Sequence, residues 1–253
     1  MLPHMDSLSF FLHWLSAPLQ IGAVAPSSQA LAAVITTEIA PEIAPVIELG
    51  PGSGAFTRAL LDRGIPQRRL ALIEQSPRFA FALREQFPAA RVLCVDAAAL
   101  RSIDVFPGEA AGAVVSGLPL LLMSPNKVRA ILESAFMRLR PDGAFYQFTY
   151  GSRSPVACPI LDGLGLTATR IGGTFVNIPP AAVYRIARHP VEPCVFQTQH
   201  EPGRSKPIEH RAAPSLLHAA EGPASNKEFL HGIRKLFKQQ QRAFFRSEGR
   251  AGR

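Results

Sequence analysis

Three acidic residues stand where apolar runs give out. Glu48 follows Pro45-Val46-Ile47, Glu74 follows Leu70-Ala71-Leu72-Ile73, and Asp96 follows Arg91-Val92-Leu93-Cys94-Val95. The first leads directly into Gly50-Pro51-Gly52-Ser53-Gly54, and then into Ala55-Phe56-Thr57-Arg58-Ala59-Leu60-Leu61, whose apolar residues have helical spacing. Glycines in such a turn permit positive φ and leave bare backbone for a ligand to touch. The helix start beyond them presents amides with no partner inside the helix. This pattern predicts a flat, polar cofactor lying across strand ends, and two cofactors compete for it. Gly50, Gly52 and Ala55 satisfy the dinucleotide pattern in its G-x-G-x-x-A form, with Glu74 at about the spacing of a ribose-binding acid. A dinucleotide, however, brings an anionic pyrophosphate that Glu48 would repel. S-adenosylmethionine carries no phosphate; its sulfonium and amino group are cationic and gain from a nearby carboxylate. Asp96 is placed to accept from an adenine amino group. The expected cofactor is therefore S-adenosylmethionine, with Glu48, Gly50, Gly52, Gly54, Glu74, Asp96, Ala97 and Ser116 as its binding residues. The structural alternatives are a helix-capping Glu48, a surface Glu74, and an Asp96 that caps the helix after it.

The elements that must position these residues follow from the alternation of runs. Strands are expected at Val46–Glu48, Leu70–Glu74, Arg91–Val95, Ala113–Ser116 and Gly143–Tyr150. Helices are expected at Gln29–Glu38, Phe56–Asp62, Phe79–Gln86 and Pro125–Arg138. Strands alternating with helices predict a parallel sheet. Two more β-like runs, Leu166–Ile171 and Ala182–Ala187, have no long helix between them and are expected to form an antiparallel pair at the sheet edge. The fold class is α/β: a Rossmann-like, seven-stranded, mostly parallel sheet with an antiparallel edge strand and helices on both faces.

The chain of 253 residues can hold one such domain with appendages. The expected division is an N-terminal helical segment over 1–40, a cofactor-binding domain over 41–189, and a flexible basic tail over 190–253, where prolines and polar residues break periodicity. A net charge of +8 implies an anionic partner, either nucleic acid or an anionic membrane face. Three cysteines, Cys94, Cys158 and Cys194, lack metal-ligand spacing and read as reduced thiols; no metal is expected. The longest apolar stretch, Ala110–Met123, is too short to span a bilayer. No Lys or Arg precedes Arg58, so the N-terminus lacks the positive start of a secretory signal, and a cytoplasmic location is expected.

Two segments suit a lipid interface. Phe10, Phe11, Trp14 and Leu15 share a helical face before Pro18, and the run from Asn226 puts Phe229, Ile233, Leu236 and Phe237 on one face with Arg234, Lys235 and Lys238 off it. Each reads equally as a helix packed on the domain. Gly22-Ala23-Val24-Ala25-Pro26-Ser27-Ser28 precedes a helix that its serines can cap, and is placed to fold over a bound cofactor.

With these residues assembled, the chain resembles the class I methyltransferases and, more narrowly, the bacterial phospholipid N-methyltransferases. The stretches that carry the likeness are Gly22–Ser28, Glu48–Gly54, Ser116-Gly117-Leu118-Pro119-Leu120 and Tyr146-Gln147-Phe148-Thr149-Tyr150-Gly151. The similarity runs from about residue 10 to Arg188, leaving the tail outside it. The resemblance implies transfer of methyl groups from S-adenosylmethionine to the amine of phosphatidylethanolamine and its methylated derivatives, towards phosphatidylcholine. It also implies peripheral attachment to the inner face of the cell membrane through Phe10, Phe11 and Trp14; the basic amphipathic helix over 226–246, outside the resemblance, is a further candidate contact by its own pattern. By their positions in the chain, Gly117, Leu118, Pro119 and Leu120 would form the substrate wall; Tyr150 would orient the amine as the catalytic residue, or is equally a core or rim tyrosine, and Arg153 would pair with the lipid phosphate, or is equally a surface arginine.

Two other functions compete. Ribosomal RNA adenine dimethyltransferases have a similar glycine turn, but they hold a flipped base with Asn-Leu-Pro or Asn-Ile-Pro followed by an aromatic residue. Here Gly117-Leu118-Pro119-Leu120 supplies neither the amide nor the ring. Asn177-Ile178-Pro179-Pro180 imitates that motif but falls after the fifth strand, where a turn between edge strands is expected. Nucleic acid is therefore not the favoured partner. The third reading is a non-catalytic scaffold with a methyltransferase fold, against which the intact acids and glycines count.

Overall fold

The computed structural model describes residues 26–150, 154–175 and 180–189, with side chains from residue 29 onward. The N-terminal aromatic face, Arg153, Asn177–Pro179 and the tail helix over 226–246 lie outside the described residues.

Seven strands form one sheet in the order β3-β2-β1-β4-β5-β7-β6. They are β1 (Val46–Leu49), β2 (Leu70–Ile73), β3 (Arg91–Leu93), β4 (Ala111–Ser116), β5 (Leu139–Tyr150), β6 (Leu166–Thr174) and β7 (Ala181–Arg188). Pairs among β1 to β5 are parallel; β7 runs antiparallel to both β5 and β6. The reversed strand thus stands one place in from the edge, with β6 outermost. Five α-helices accompany the sheet among the described residues, of which the longer are α1 (Pro26–Ile35), α2 (Ala55–Asp62), α3 (Pro77–Gln86) and α4 (Pro125–Phe136). A single-turn helix, α5 (Cys158–Asp162), precedes β6 and has no long apolar period in the sequence to announce it.

Several boundaries differ from the sequence reading, and two of them have a clear local cause. The first helix begins at Pro26, a favoured first-turn residue because its missing amide would have had no partner there. The fifth strand begins at Leu139, four residues early, because β4 has a pairing irregularity between Ala111 and Ala113 that lets Leu139 and Ala144 both find partners.

The core lies on the α4 face of the sheet. Ile47 and Leu49 of β1, Ile73 of β2, Val114 of β4 and Phe145 of β5 meet Val128, Ile131 and Leu132 of α4. β1 and β2 are buried along their whole length, as strands covered on both faces must be. The opposite face carries α1 and α2. There Phe56 of α2 meets Phe148 of β5 edge-on at 6.0 Å, and Phe148 meets Tyr150 in the same way at 5.6 Å. Past the end of α1, Glu38 accepts from the Tyr146 hydroxyl at 3.2 Å and lies 3.6 Å from Arg185 Nε, which ties the helix to β5 and β7. Burial, with Glu38 beside it, pushes the Tyr146 hydroxyl up to about 12, so it remains a donor. Among the described residues no helix is long and apolar enough to cross a membrane.

Candidate functional site at the carboxyl ends of the strands

Parallel strands that all end on one edge expose free backbone there, and ligands of open α/β sheets bind outside that edge where strand order reverses. In this sheet the reversal lies between β1 and β4, the strands that carry Glu48 and Ser116. The turn after β1 puts Gly50, Gly52 and Gly54 at φ of 65°, 53° and 79°. Side chains rarely adopt that region, so the turn depends on its glycines. Gly52 faces open space: a Cβ built there meets nothing within 4 Å. Gly54 also forms the start of α2, which has no side-chain cap.

Glu48 sits beneath this turn and is fully buried. One carboxylate oxygen, Oε2, accepts from the Thr57 hydroxyl at 2.6 Å, while Oε1 is buried with no hydrogen-bond partner. Burial pushes its pKa up to about 7, against the pull of Thr57 and of the Arg58 guanidinium. A buried carboxylate with one unsatisfied oxygen is costly in isolation and is relieved by a cation or donor arriving at that oxygen. Glu74 is turned to the same site, but its oxygens already meet backbone: Oε2 accepts from the Gly52 amide at 3.1 Å and Oε1 from the Ser76 amide at 2.8 Å. Each oxygen keeps a second lone pair for a ligand hydroxyl. Burial holds the Glu74 carboxyl above its ordinary value despite these amides.

Asp96 does what the capping alternative expected. Its Oδ1 accepts from the Ala98 amide at 2.8 Å and caps the 3₁₀ turn Ala97–Ser102, and its Oδ2 meets the Lys127 ammonium. Burial alone would raise Asp96; Lys127 and the Ala98 amide outweigh it and hold the carboxyl below the usual carboxylate range. Lys127 is delivered by its own cap: Ser124 Oγ accepts from the Lys127 amide at 3.3 Å and fixes the first turn of α4. Gly50, Glu74, Asp96, Leu118, Pro119 and Lys127 together line a narrow cleft of about 40 Å³. A larger hollow of about 340 Å³ lies between α1 and α2, lined by small residues such as Ala32, Ala33, Ala55 and Ala59. The smaller cleft is the one at the strand ends and beside the acids, so the chemistry belongs there.

The loop after β4 closes the cleft. Gly117 donates to the Leu49 carbonyl at 2.8 Å, and its missing side chain is required, because a Cβ there would stand 2.6 Å from the Gly50 carbonyl oxygen. Leu118 donates to Ser116 Oγ at 3.3 Å, and its carbonyl accepts from Gln147 Nε2 at 2.9 Å. Pro119 and Leu120 are buried, whereas Leu121 and Leu122 are half-buried and supply apolar surface. Tyr150 is at the carboxyl end of β5 as expected, but its ring is 6% exposed and packs on the α2 face, away from Ser116 and Gln147 on the α4 face. Ala97 is buried beneath the Asp96 cap.

Three contributors escaped the sequence reading. Thr57 and Lys127 act through contacts 9 and 31 residues distant in sequence. Gln147 did leave a signal, a lone amide inside the apolar run Ala144–Phe148.

The arrangement fits S-adenosylmethionine on its own terms: an orphaned buried carboxylate oxygen for a cationic group and bare backbone at Gly52. The methyltransferase-domain family matches residues 46–143, the span from β1 into β5. A solved 1,6-didemethyltoxoflavin-N1-methyltransferase from Burkholderia thailandensis has the same fold, with a TM-score of 0.50 over 74% of this chain and 92% of that one at 16% identity. The chain is thus an S-adenosylmethionine-dependent methyltransferase of class I fold. An ornithine lipid N-methyltransferase from Singulisphaera acidiphila is 36% identical over 134 residues, covering 51% of this chain and 70% of that protein, and the chain belongs to its family. The ribosomal RNA small subunit methyltransferase A of Bordetella pertussis is 40% identical over 80 residues, but these cover 32% of this chain and 29% of that enzyme.

Proposed function

We propose that the protein N-methylates the amine headgroup of phosphatidylethanolamine and its methylated derivatives, towards phosphatidylcholine, working at the cytoplasmic face of the membrane. The observation that carries this reading is the Gly117 contact. The loop beside the cleft has no room for the amide that an adenine acceptor needs, and its flank is leucine rather than a ring. A small aliphatic amine with an apolar tail suits such a wall. The family relationship to an enzyme named for lipid N-methylation supports a lipid amine in general.

When bound, S-adenosylmethionine supplies a methyl group on a positively charged sulfur, so the acceptor needs chiefly a lone pair held in line. Glu48 Oε1 would accept from the cofactor's amino group, Glu74 from the ribose hydroxyls, and Asp96 from the adenine amino group, sharing Oδ2 with Lys127. The Gly117–Leu120 loop would exclude water from the transfer and fix the direction of approach, the two effects expected to dominate when the nucleophile is an amine. Tyr150 would orient that amine and Arg153 would hold the phosphate; for Tyr150 this requires its hydroxyl to reach the cleft from the α2 face.

The relationship to ribosomal RNA small subunit methyltransferase A over 80 residues supports the second reading, RNA adenine methylation. One assay separates the two. The full chain is incubated with methyl-labelled cofactor and, in parallel, phosphatidylethanolamine vesicles, ornithine lipid vesicles and ribosomal RNA, followed by lipid chromatography. Label in mono-, di- and trimethylated phosphatidylethanolamine is expected. Label confined to ornithine lipid would move the substrate within the lipids, and label in RNA alone would replace the proposal with the second reading.

A further inference from the structure

The hairpin between β6 and β7 rises from the same sheet edge as the site. Gln147 pairs with Ser116, and three residues later Tyr150 pairs with Ala181, which pairs in turn with Thr174. At about 3.3 Å per residue, Thr174 stands roughly 10 Å beyond the level of Ser116 on the cleft side. The next residue, Phe175, is 86% exposed, the most open large apolar side chain among the described residues. The other two, Phe81 and Met137, are each 65% exposed, and Met137 follows α4 at the opposite sheet edge, next to the start of β5. The sequence continues Val176-Asn177-Ile178-Pro179-Pro180, so apolar residues follow the ring.

A cation accompanies the ring. Arg170 of β6 is exposed, and its Nη2 lies 3.2 Å from the position a Cβ on Gly173 would take, so its guanidinium runs along the strand towards the tip. Between them β6 shifts register at Arg170/Gly172, an irregularity of the kind that bends a strand and re-aims its end. Single exposed apolar residues are ordinary on soluble surfaces. An exposed aromatic ring directly after the end of β6, with a guanidinium one short step behind it and the site on the same side, is a more particular arrangement. It matches the layering of an anionic bilayer surface, where aromatic rings settle at the headgroup boundary and guanidinium groups pair with phosphates.

We infer that the β6–β7 hairpin is a membrane-docking element: Phe175 enters the interface of an anionic bilayer, Arg170 pairs with lipid phosphate, and the cleft is thereby turned towards the lipid surface. This rests on the lipid reading of the site and adds to it a contact surface distinct from the N-terminal aromatic residues and the tail helix.

The test needs no turnover. Partition of the full chain onto vesicles of phosphatidylethanolamine and phosphatidylglycerol is measured by co-sedimentation, without cofactor. Phe175→Ser should weaken partition roughly tenfold, the order expected for removing one aromatic ring from an interface. Phe175→Trp should restore it, and Met137→Ser should leave it as in the wild type. Arg170→Ser should weaken binding at low salt and flatten its dependence on sodium chloride, because exposed charge pairing is screened. Unfolding temperatures of the two Phe175 variants should match the wild type, since the ring is exposed. Wild-type partition by Phe175→Ser, or equal losses in Phe175→Ser and Met137→Ser, would overturn the inference. The substrate reading has its own readout in the labelling assay, so loss of vesicle binding without methylation of any lipid would uphold the docking surface and refute the substrate.

Discussion

Replacing Glu48 by glutamine separates what this residue costs the fold from what it does for the site. In the folded protein its pKa is about 7, against an ordinary value of 4.5, because burial disfavours the charge. The folded state therefore binds this proton more tightly than the unfolded chain. Below pH 4.5 both states are protonated and the group costs nothing. As the pH rises towards 7 the unfolded chain has lost the proton and the folded protein has not, so stability falls, and above 7 the whole penalty is present. A displacement of this size corresponds to about 3 kcal/mol. Glutamine has nearly the same shape and does not titrate. Its oxygen keeps the Thr57 hydrogen bond, while its NH₂ takes the place of the orphaned oxygen at a cost of about 1–3 kcal/mol that is independent of pH. Absolute stabilities of the two proteins can therefore lie close together, and the slope carries the information. Urea unfolding without cofactor between pH 5 and 8 should show the variant gaining about 3 kcal/mol on the wild type as the pH rises. In thermal unfolding that is roughly 6–12 °C for a domain of this size. Other titrating groups cancel in the difference. Curves that run parallel across this window would refute the claim that Glu48 is a destabilised buried acid, and with it the argument that the site awaits a cation.

The remaining expectations concern the loaded site and its wall. A cation held at Glu48 Oε1 favours the ionised carboxylate, so cofactor affinity should fall about tenfold from pH 8 to pH 6 as a group of pKa about 7 takes up its proton; calorimetry should find this dependence absent in Glu48→Gln, whose affinity is lower throughout, and a wild-type affinity level across that range would count against the contact. Above pH 8 the cofactor's own amino group loses its charge and affinity should fall again. Gly117→Ala puts a methyl 2.6 Å from the Gly50 carbonyl and should destabilise the protein by about 1–3 kcal/mol, with turnover falling further than stability predicts because the glycine turn and the substrate wall move together. Unchanged turnover in that variant would show the two loops to be independent.

Much of this was legible because the relevant signals are local. The β1 turn announces itself in three glycines within five residues, and the strand–helix alternation is carried by runs of Val, Ile and Leu whose burial the sheet demands. The two runs at the carboxyl end of the domain lacked a crossover helix, and so could be read as an antiparallel pair. What escaped is long-range. The sequence can place Asp96 after a strand, but nothing near residue 96 tells that Lys127 will arrive at its second oxygen, because that meeting depends on how α4 packs. Position at a strand end points Tyr150 to the site; which face its ring takes is set by strand parity, and the partner ring Phe148 holds it on the side of α2. The pKa of Glu48 was equally hidden, since a sequence names a carboxylate but not the absence of water around it.

The Gly50–Gly117 contact joins the two halves of the site in one constraint. The cofactor turn must bring bare backbone upward, and the loop after β4 must approach that backbone closely enough for Gly117 to donate to Leu49. A side chain at 117 would hold the two apart. Enzymes that grip a planar base with an amide from this loop must therefore give up this approach, or tilt the loop. Here the amide near the loop comes from Gln147 on the next strand, and its Nε2 is engaged in holding the Leu118 carbonyl in place. Its Oε1 is buried without a partner and is not offered to solvent. The wall is braced from behind by Gln147, and in the proposed function it would select acceptors by size and apolar flank and not by hydrogen-bond pattern. On the proposed reading, a tethered amine small enough to reach past Leu118 would pass that test, and a nucleobase, which needs its edge read, would not.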